Sequence, residues 1–106
     1  MGYDFSRMSC LLVEDNKFMR GVLRIVMESL GVRNYHFAAD GKEAIEILQI
    51  RSGTLKQAGS GGIDCVISDV VMPGIDGHLL LRWIRRHETS PDRFVPVIMI
   101  SGMVDH

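Results

Sequence analysis

The chain has 106 residues, 46% of them hydrophobic and 24% charged, enough for one domain with one hydrophobic core and too few for a second module. Its formal net charge of -1 leaves no electrostatic footprint for direct contact with nucleic acid. No apolar run approaches the ~20 residues that span a bilayer, and residues 1–8 lack the basic start and apolar middle of a signal peptide, so a cytoplasmic protein with no membrane partner is expected.

Ser9 to Val13 is a continuous apolar run that stops at Glu14-Asp15-Asn16, the pattern of a strand buried on both faces and followed by a turn. From Lys17 to Leu30 the residues Phe18, Val22, Ile25, Val26 and Leu30 follow a helical period, with Met19, Leu23 and Met27 widening the stripe, and Gly31 supplies the stop. A second strand is expected over Tyr35 to Ala39. Asp40 with Glu43 then starts a helix whose apolar face carries Ala44, Ile45 and Leu48. Arg51 to Gly62, rich in Gly and Ser, reads as a flexible insertion.

Cys65 to Ser68 forms a third buried strand ending in Asp69, and Met72-Pro73-Gly74 turns the chain toward Asp76-Gly77. The helix that follows runs through Leu79, Leu80, Trp83 and Ile84, with Arg82, Arg85 and Arg86 as a solvated polar face. Phe94 to Ile100 is a fourth strand, ending at Ser101-Gly102. Cys10 and Cys65 have neither C-x-x-C spacing nor a nearby His, and read as buried free thiols. The four histidines are too scattered for a metal cluster.

Solid apolar strands alternating with helices imply an α/β fold, a doubly wound parallel sheet covered on both faces. Ligands of such sheets bind beyond the carboxyl ends of the strands. Glu14, Asp15, Asp69 and Ser101 all fall at strand ends of that polarity. Carboxylates gathered there repel one another unless a cation compensates, and no Lys or Arg lies within three residues of Asp69. An all-oxygen site of this kind suits Mg²⁺, beside which an aspartate can act as a nucleophile toward phosphorus while a hydroxyl such as that of Ser101 contacts a phosphoryl oxygen.

Glu14-Asp15-Asn16 after one apolar strand, the stretch from Asp69 to Gly77 after another, and Ser101-Gly102 after a third together resemble the receiver domain of two-component response regulators. The resemblance covers the chain from about Ser9 onward, outside the Gly-rich insertion. It implies a flavodoxin-like fold in which a histidine kinase or a histidine phosphotransfer protein passes a phosphoryl group to Asp69. It also implies Mg²⁺ ligation by Asp15, Asp69 and the backbone carbonyl of Val71, with Glu14 acting mainly through water, and it makes Ser101 the switch hydroxyl.

Members of that family continue into a further helix, a fifth strand carrying a phosphoryl-contacting lysine, and a last helix, whereas this chain ends at His106. Residues 9–106 are therefore expected to be a receiver portion incomplete at its C-terminus, either part of a longer regulator or a homodimer that covers the edge of the fourth strand. Two other functions compete. One is an aspartate-nucleophile phosphohydrolase, disfavoured because Val71 stands where such enzymes place a second acid or base. The other is an interaction module that signals without phosphate.

Overall fold

The computed structural model of the chain describes residues 5–52, 62–72 and 74–100. Four strands, β1 (Ser9–Val13), β2 (Asn34–Ala38), β3 (Cys65–Asp69) and β4 (Val97–Ile100), form one sheet in the order β2-β1-β3-β4, every pair parallel. Three helices, α1 (Lys17–Leu30), α2 (Gly41–Ser52) and α3 (Gly77–Arg86), connect them. The sheet is the expected doubly wound, flavodoxin-like arrangement. β1 and β3 are buried at every position, which is why both read as unbroken apolar runs.

Alternation along the strands sends side chains to two cores. Leu11, Val13 and Val66 pack with Ala44 and Leu48 of α2 and with Leu80 and Ile84 of α3. Cys10, Leu12, Cys65 and Ile67 pack on the opposite face with Leu23 and Met27 of α1. The chain goes one way from β1 to reach β2 and the other way to reach β3, so the winding reverses between the two central strands. A crevice opens at that reversal, beyond their carboxyl ends.

Local chemistry sets the helix ends. Asn16 caps α1 by accepting the Met19 N–H at 3.0 Å, and Gly31, at φ 83°, closes it in the left-handed conformation. Asp40 accepts the Glu43 N–H at 2.9 Å while Glu43 reaches back to the Ala39 N–H at 2.7 Å. Asp76 caps α3 through the Leu79 N–H at 2.9 Å.

Several expectations are corrected. In α1 the stripe Phe18, Val22, Ile25, Val26 and Leu30 faces outward, and only Leu23 and Met27 are buried. Apolar residues occupy more than half of this helix's circumference, and the pairs Val22/Val26 and Leu23/Met27 share the same spacing, so periodicity alone does not choose between the two arcs. Strand β2 begins and ends one residue earlier than expected.

β4 is shorter than the apolar run from Phe94. Phe94 is 88% exposed, and Val95 is buried in the core outside the ladder. Arg85 leaves the expected solvated face of α3, its Nη1 donating to the carbonyls of Arg93 at 2.9 Å and Val95 at 2.8 Å and so fastening the approach to β4. Arg51 and Ser52 belong to α2. Residues 53–61, the bulk of the expected insertion, lie outside the described residues, as do Pro73 and Ser101.

The two arcs of α1 are separable by mutation. Leu23→Ala is expected to cost about 2–5 kcal/mol in equilibrium urea unfolding, whereas Ile25→Ala, on the outward arc, should stay within about 0.5 kcal/mol of the parent chain.

Candidate functional site

The site grows out of the ends of β1 and β3. Parallel register pairs Val13 with Ser68, which brings the next residues, Glu14 and Asp69, to the same height on neighbouring strands. The Glu14 N–H still donates to the Ala38 carbonyl at 2.9 Å, prolonging the β1/β2 ladder and holding Glu14 at the rim. Asp69 is the last residue of β3, opposite Ile100 of β4. Glu14 and Asp69 are only 1% and 8% exposed, while Asp15 is open to solvent. One carboxylate oxygen from each of Glu14, Asp15 and Asp69 lies within 4.8 Å of the others.

Each carboxylate is held by the backbone around it. Glu14 Oε2 accepts the Asn16 N–H at 3.1 Å, and Asp69 Oδ1 accepts the Val71 N–H at 3.4 Å. Val71 thus lies at the mouth of the site beside Asp69, with 60% of its surface exposed. The loop beyond it is tied down from three directions. Val70 donates its N–H to the Ile100 carbonyl at 3.0 Å, the Gly77 N–H donates to the Val70 carbonyl at 3.0 Å, and Met72 is buried in the core.

Burial pushes the Glu14 carboxyl above its ordinary range. The Asn16 N–H opposes that rise, while Asp69 and Asp15 add to it by repulsion. Glu14 Oε1 is buried with no hydrogen-bond partner. A buried, unpartnered carboxylate oxygen next to two further carboxylates is an electrostatic deficit that a divalent cation relieves. The donor set is entirely oxygen, which fits Mg²⁺.

The structure therefore brings together Glu14, Asp15, Asp69 and Val71 of the expected site. Ser101, outside the described residues, follows directly on Ile100 in the chain. Lys17, the basic residue nearest in sequence to the first two carboxylates, is exposed.

Arg20 has a part in the site that escaped the sequence reading, and Gly77 has one beyond the helix start read for it. Arg20 donates its Nε–H to the Glu14 carbonyl at 2.6 Å, and its guanidinium sits 5.6 Å from the centre of the Phe37 ring. It braces the turn by occupying a backbone oxygen, and only its place one turn into α1 hints at this. At Gly77 a Cβ would run into the Asp69 carbonyl and the Met99 side chain, so α3 starts hard against the strand that bears Asp69. The Asp76-Gly77 pair signals a helix start and gives no sign of that close approach.

The sequence profile described as the response regulator receiver domain matches residues 10–106. The chain belongs to this family of two-component signalling domains. It is 41% identical over 96 residues to the sensor kinase CckA of Brucella abortus (strain 2308), covering 90% of this chain and 9% of that protein. It is 32% identical over 95 residues to the chemotaxis protein CheY of Pseudomonas aeruginosa, covering 90% of this chain and 67% of that one.

Among solved structures, the receiver domain of the histidine kinase CKI1 from Arabidopsis thaliana, complexed with Mg²⁺ and BeF₃⁻, superposes with a TM-score of 0.78 at 28% identity. That match covers 93% of this chain and 68% of the other. The fold and family are thus those of receiver domains, which are signalling domains rather than classical enzymes. Among the described residues, no helix is long and apolar enough to cross a membrane.

The raised Glu14 carboxyl has a consequence for stability. A carboxyl whose folded value lies above its unfolded one favours the folded state most at low pH and loses that contribution as pH rises through the folded value. Without divalent cations, Glu14→Gln is therefore expected to be more stable than the parent chain at pH 7. The difference should close below pH ~4, where Glu is protonated in both states. Thermal melts across pH in the presence of a chelator check this, and a Gln variant less stable at pH 7 would contradict it.

Proposed function

We propose that Asp69 is a phosphoacceptor, taking a phosphoryl group from the phosphohistidine of a histidine kinase or of a histidine phosphotransfer protein. The observation that carries this reading is the cluster of Glu14, Asp15 and Asp69 at the winding reversal, with a buried Glu14 oxygen left unpartnered. Asp15, Asp69 and the Val71 carbonyl are the ligands we assign to Mg²⁺, with Glu14 contributing through water. When bound, the ion would neutralise the phosphoryl oxygens during transfer.

In the transfer a carboxylate oxygen of Asp69 attacks phosphorus in line. The new P–O bond forms as the P–N bond to the histidine breaks, leaving an acyl phosphate on Asp69. The Val71 N–H steadies Asp69 Oδ1, and the bonds from Val70 to Ile100 and from Gly77 to Val70 tether the backbone beside it. Ser101 would donate its hydroxyl to a phosphoryl oxygen and draw its own segment inward, which is the switching movement in this reading. Val71 has no side-chain acid or base to activate water, which supports a signalling phosphoacceptor over a phosphohydrolase. On this reading residues 9–106 act as a receiver portion in the cytoplasm.

α1 supplies a surface for the donor. Capped by Asn16, it begins at Lys17, two residues after Asp15, and its outward arc presents Phe18 at 76%, Ile25 at 65% and Val26 at 41% exposure. An apolar arc beginning beside the acidic cluster suits a helical partner that must bring a phosphohistidine to Asp69.

Incubation with Mg²⁺ and acetyl phosphate, read by intact-mass analysis, is expected to add one phosphoryl increment that is lost in Asp69→Asn and with a chelator. No increment in a folded sample would count against phosphoacceptance by this chain. Phe18→Ala should leave labelling by acetyl phosphate unchanged while slowing transfer from a histidine phosphotransfer partner about tenfold, the equivalent of ~1.4 kcal/mol. Equal transfer rates for the variant and the parent would remove α1 from the docking surface.

A further inference from the structure

At the end of the sheet opposite the acidic cluster, two thiols stand face to face. Cys10 of β1 and Cys65 of β3 are direct partners in the parallel register, and both side chains enter the core beneath α1. They are 2% and 5% exposed, and both are free thiols.

We propose that Cys10 and Cys65 form a peroxide-oxidisable dithiol that closes into a cross-strand disulfide, locking the two central strands together. Neighbouring strands lie ~4.8 Å apart, inside the ~4.4–6.8 Å window of Cα separations that a disulfide spans. Register alone places the two side chains on the same face at the same height. The bond therefore needs no strand slip.

The environment separates the roles of the two sulfurs. A hydrogen bond from the Cys10 thiol draws Cys65 down to about 7, against the opposing effects of burial and Asp64. The same hydrogen bond, together with burial, pushes Cys10 upward. In the proposed sequence Cys65 attacks and Cys10 resolves, an order that trapping of the sulfenic acid tests. In the first step the Cys65 thiolate attacks one oxygen of hydrogen peroxide; an S–O bond forms, the O–O bond breaks, and the departing hydroxide takes up a proton to become water.

In the second step the Cys10 sulfur attacks the Cys65 sulfenic acid. The S–S bond forms, the S–O bond breaks, and a second water carries away the Cys10 proton. Two electrons pass from the dithiol to the peroxide. The half-buried Phe5 and Met8 pack against this core, so the reaction calls for a small oxidant such as hydrogen peroxide rather than a bulky disulfide. The pair lies four residues before Glu14 and Asp69 on their own strands, about 13 Å away at strand rise, so the bond leaves the carboxylates in place.

The test is hydrogen peroxide treatment of the folded chain, alkylation of remaining thiols in denaturant, and peptide mapping without reductant. The expected result is a Cys10–Cys65 linked peptide within one chain that disappears on reduction, and a higher melting temperature for the linked form, because the bond constrains the unfolded chain. In Cys10→Ala, dimedone should trap Cys65 as its sulfenic acid. Free or sulfinic cysteines without the linked peptide, linkage only between chains, or a linked form that melts lower than the reduced one would each overturn the proposal.

Discussion

Parallel pairing of β1 with β3 is the constraint from which the rest of this molecule follows. Because Val13 stands opposite Ser68, the residues that end these strands, Glu14 and Asp69, arrive side by side at one rim. A shift of one residue would turn every side chain of β3 to the opposite face and separate the carboxylates. Such a shift is opposed by both cores at once, since Val66 packs with α2 and α3 while Cys65 and Ile67 pack beneath α1. The geometry of the acidic cluster is thus maintained by apolar packing well away from it.

That packing sustains a locally unfavourable arrangement. Glu14 is buried, one of its oxygens lacks a partner, and its neighbours carry the same charge. Nothing about folding requires three carboxylates there, and their mutual repulsion costs stability that a bound cation would offset. The brace around it is built from the backbone. Arg20 holds the Glu14 carbonyl, the Asn16 and Val71 amides hold the carboxylates, and Gly77 lets α3 close on the strand that bears Asp69.

The two faces of the sheet serve different ends. α2 and α3 cover one face with fully buried residues such as Ala44 and Leu80, whereas α1 buries Leu23 and Met27 on the other face and turns a second apolar arc to solvent. That arc starts next to the carboxylates. The thiol pair occupies the far end of the same face, so the two chemistries sit at opposite ends of the same pair of strands.

The sequence by itself determined the alternation of strands and helices, the parallel sheet, and the identity of the acidic residues. Each depends on local information: unbroken apolar runs, helix starts at Asp40 and Asp76, and carboxylates at abrupt strand ends. The bounds of α1 were legible to the residue, because a cap and a left-handed glycine mark them. Tertiary structure alone decided which arc of α1 is buried, since Val22/Val26 and Leu23/Met27 have the same period and only contact with the sheet distinguishes them. It alone decided that Arg85 faces the approach to β4 and that Val95 enters the core outside the ladder. It alone set Cys10 against Cys65, because register between strands separated by 55 positions depends on how whole faces pack, and no local pattern carries that information.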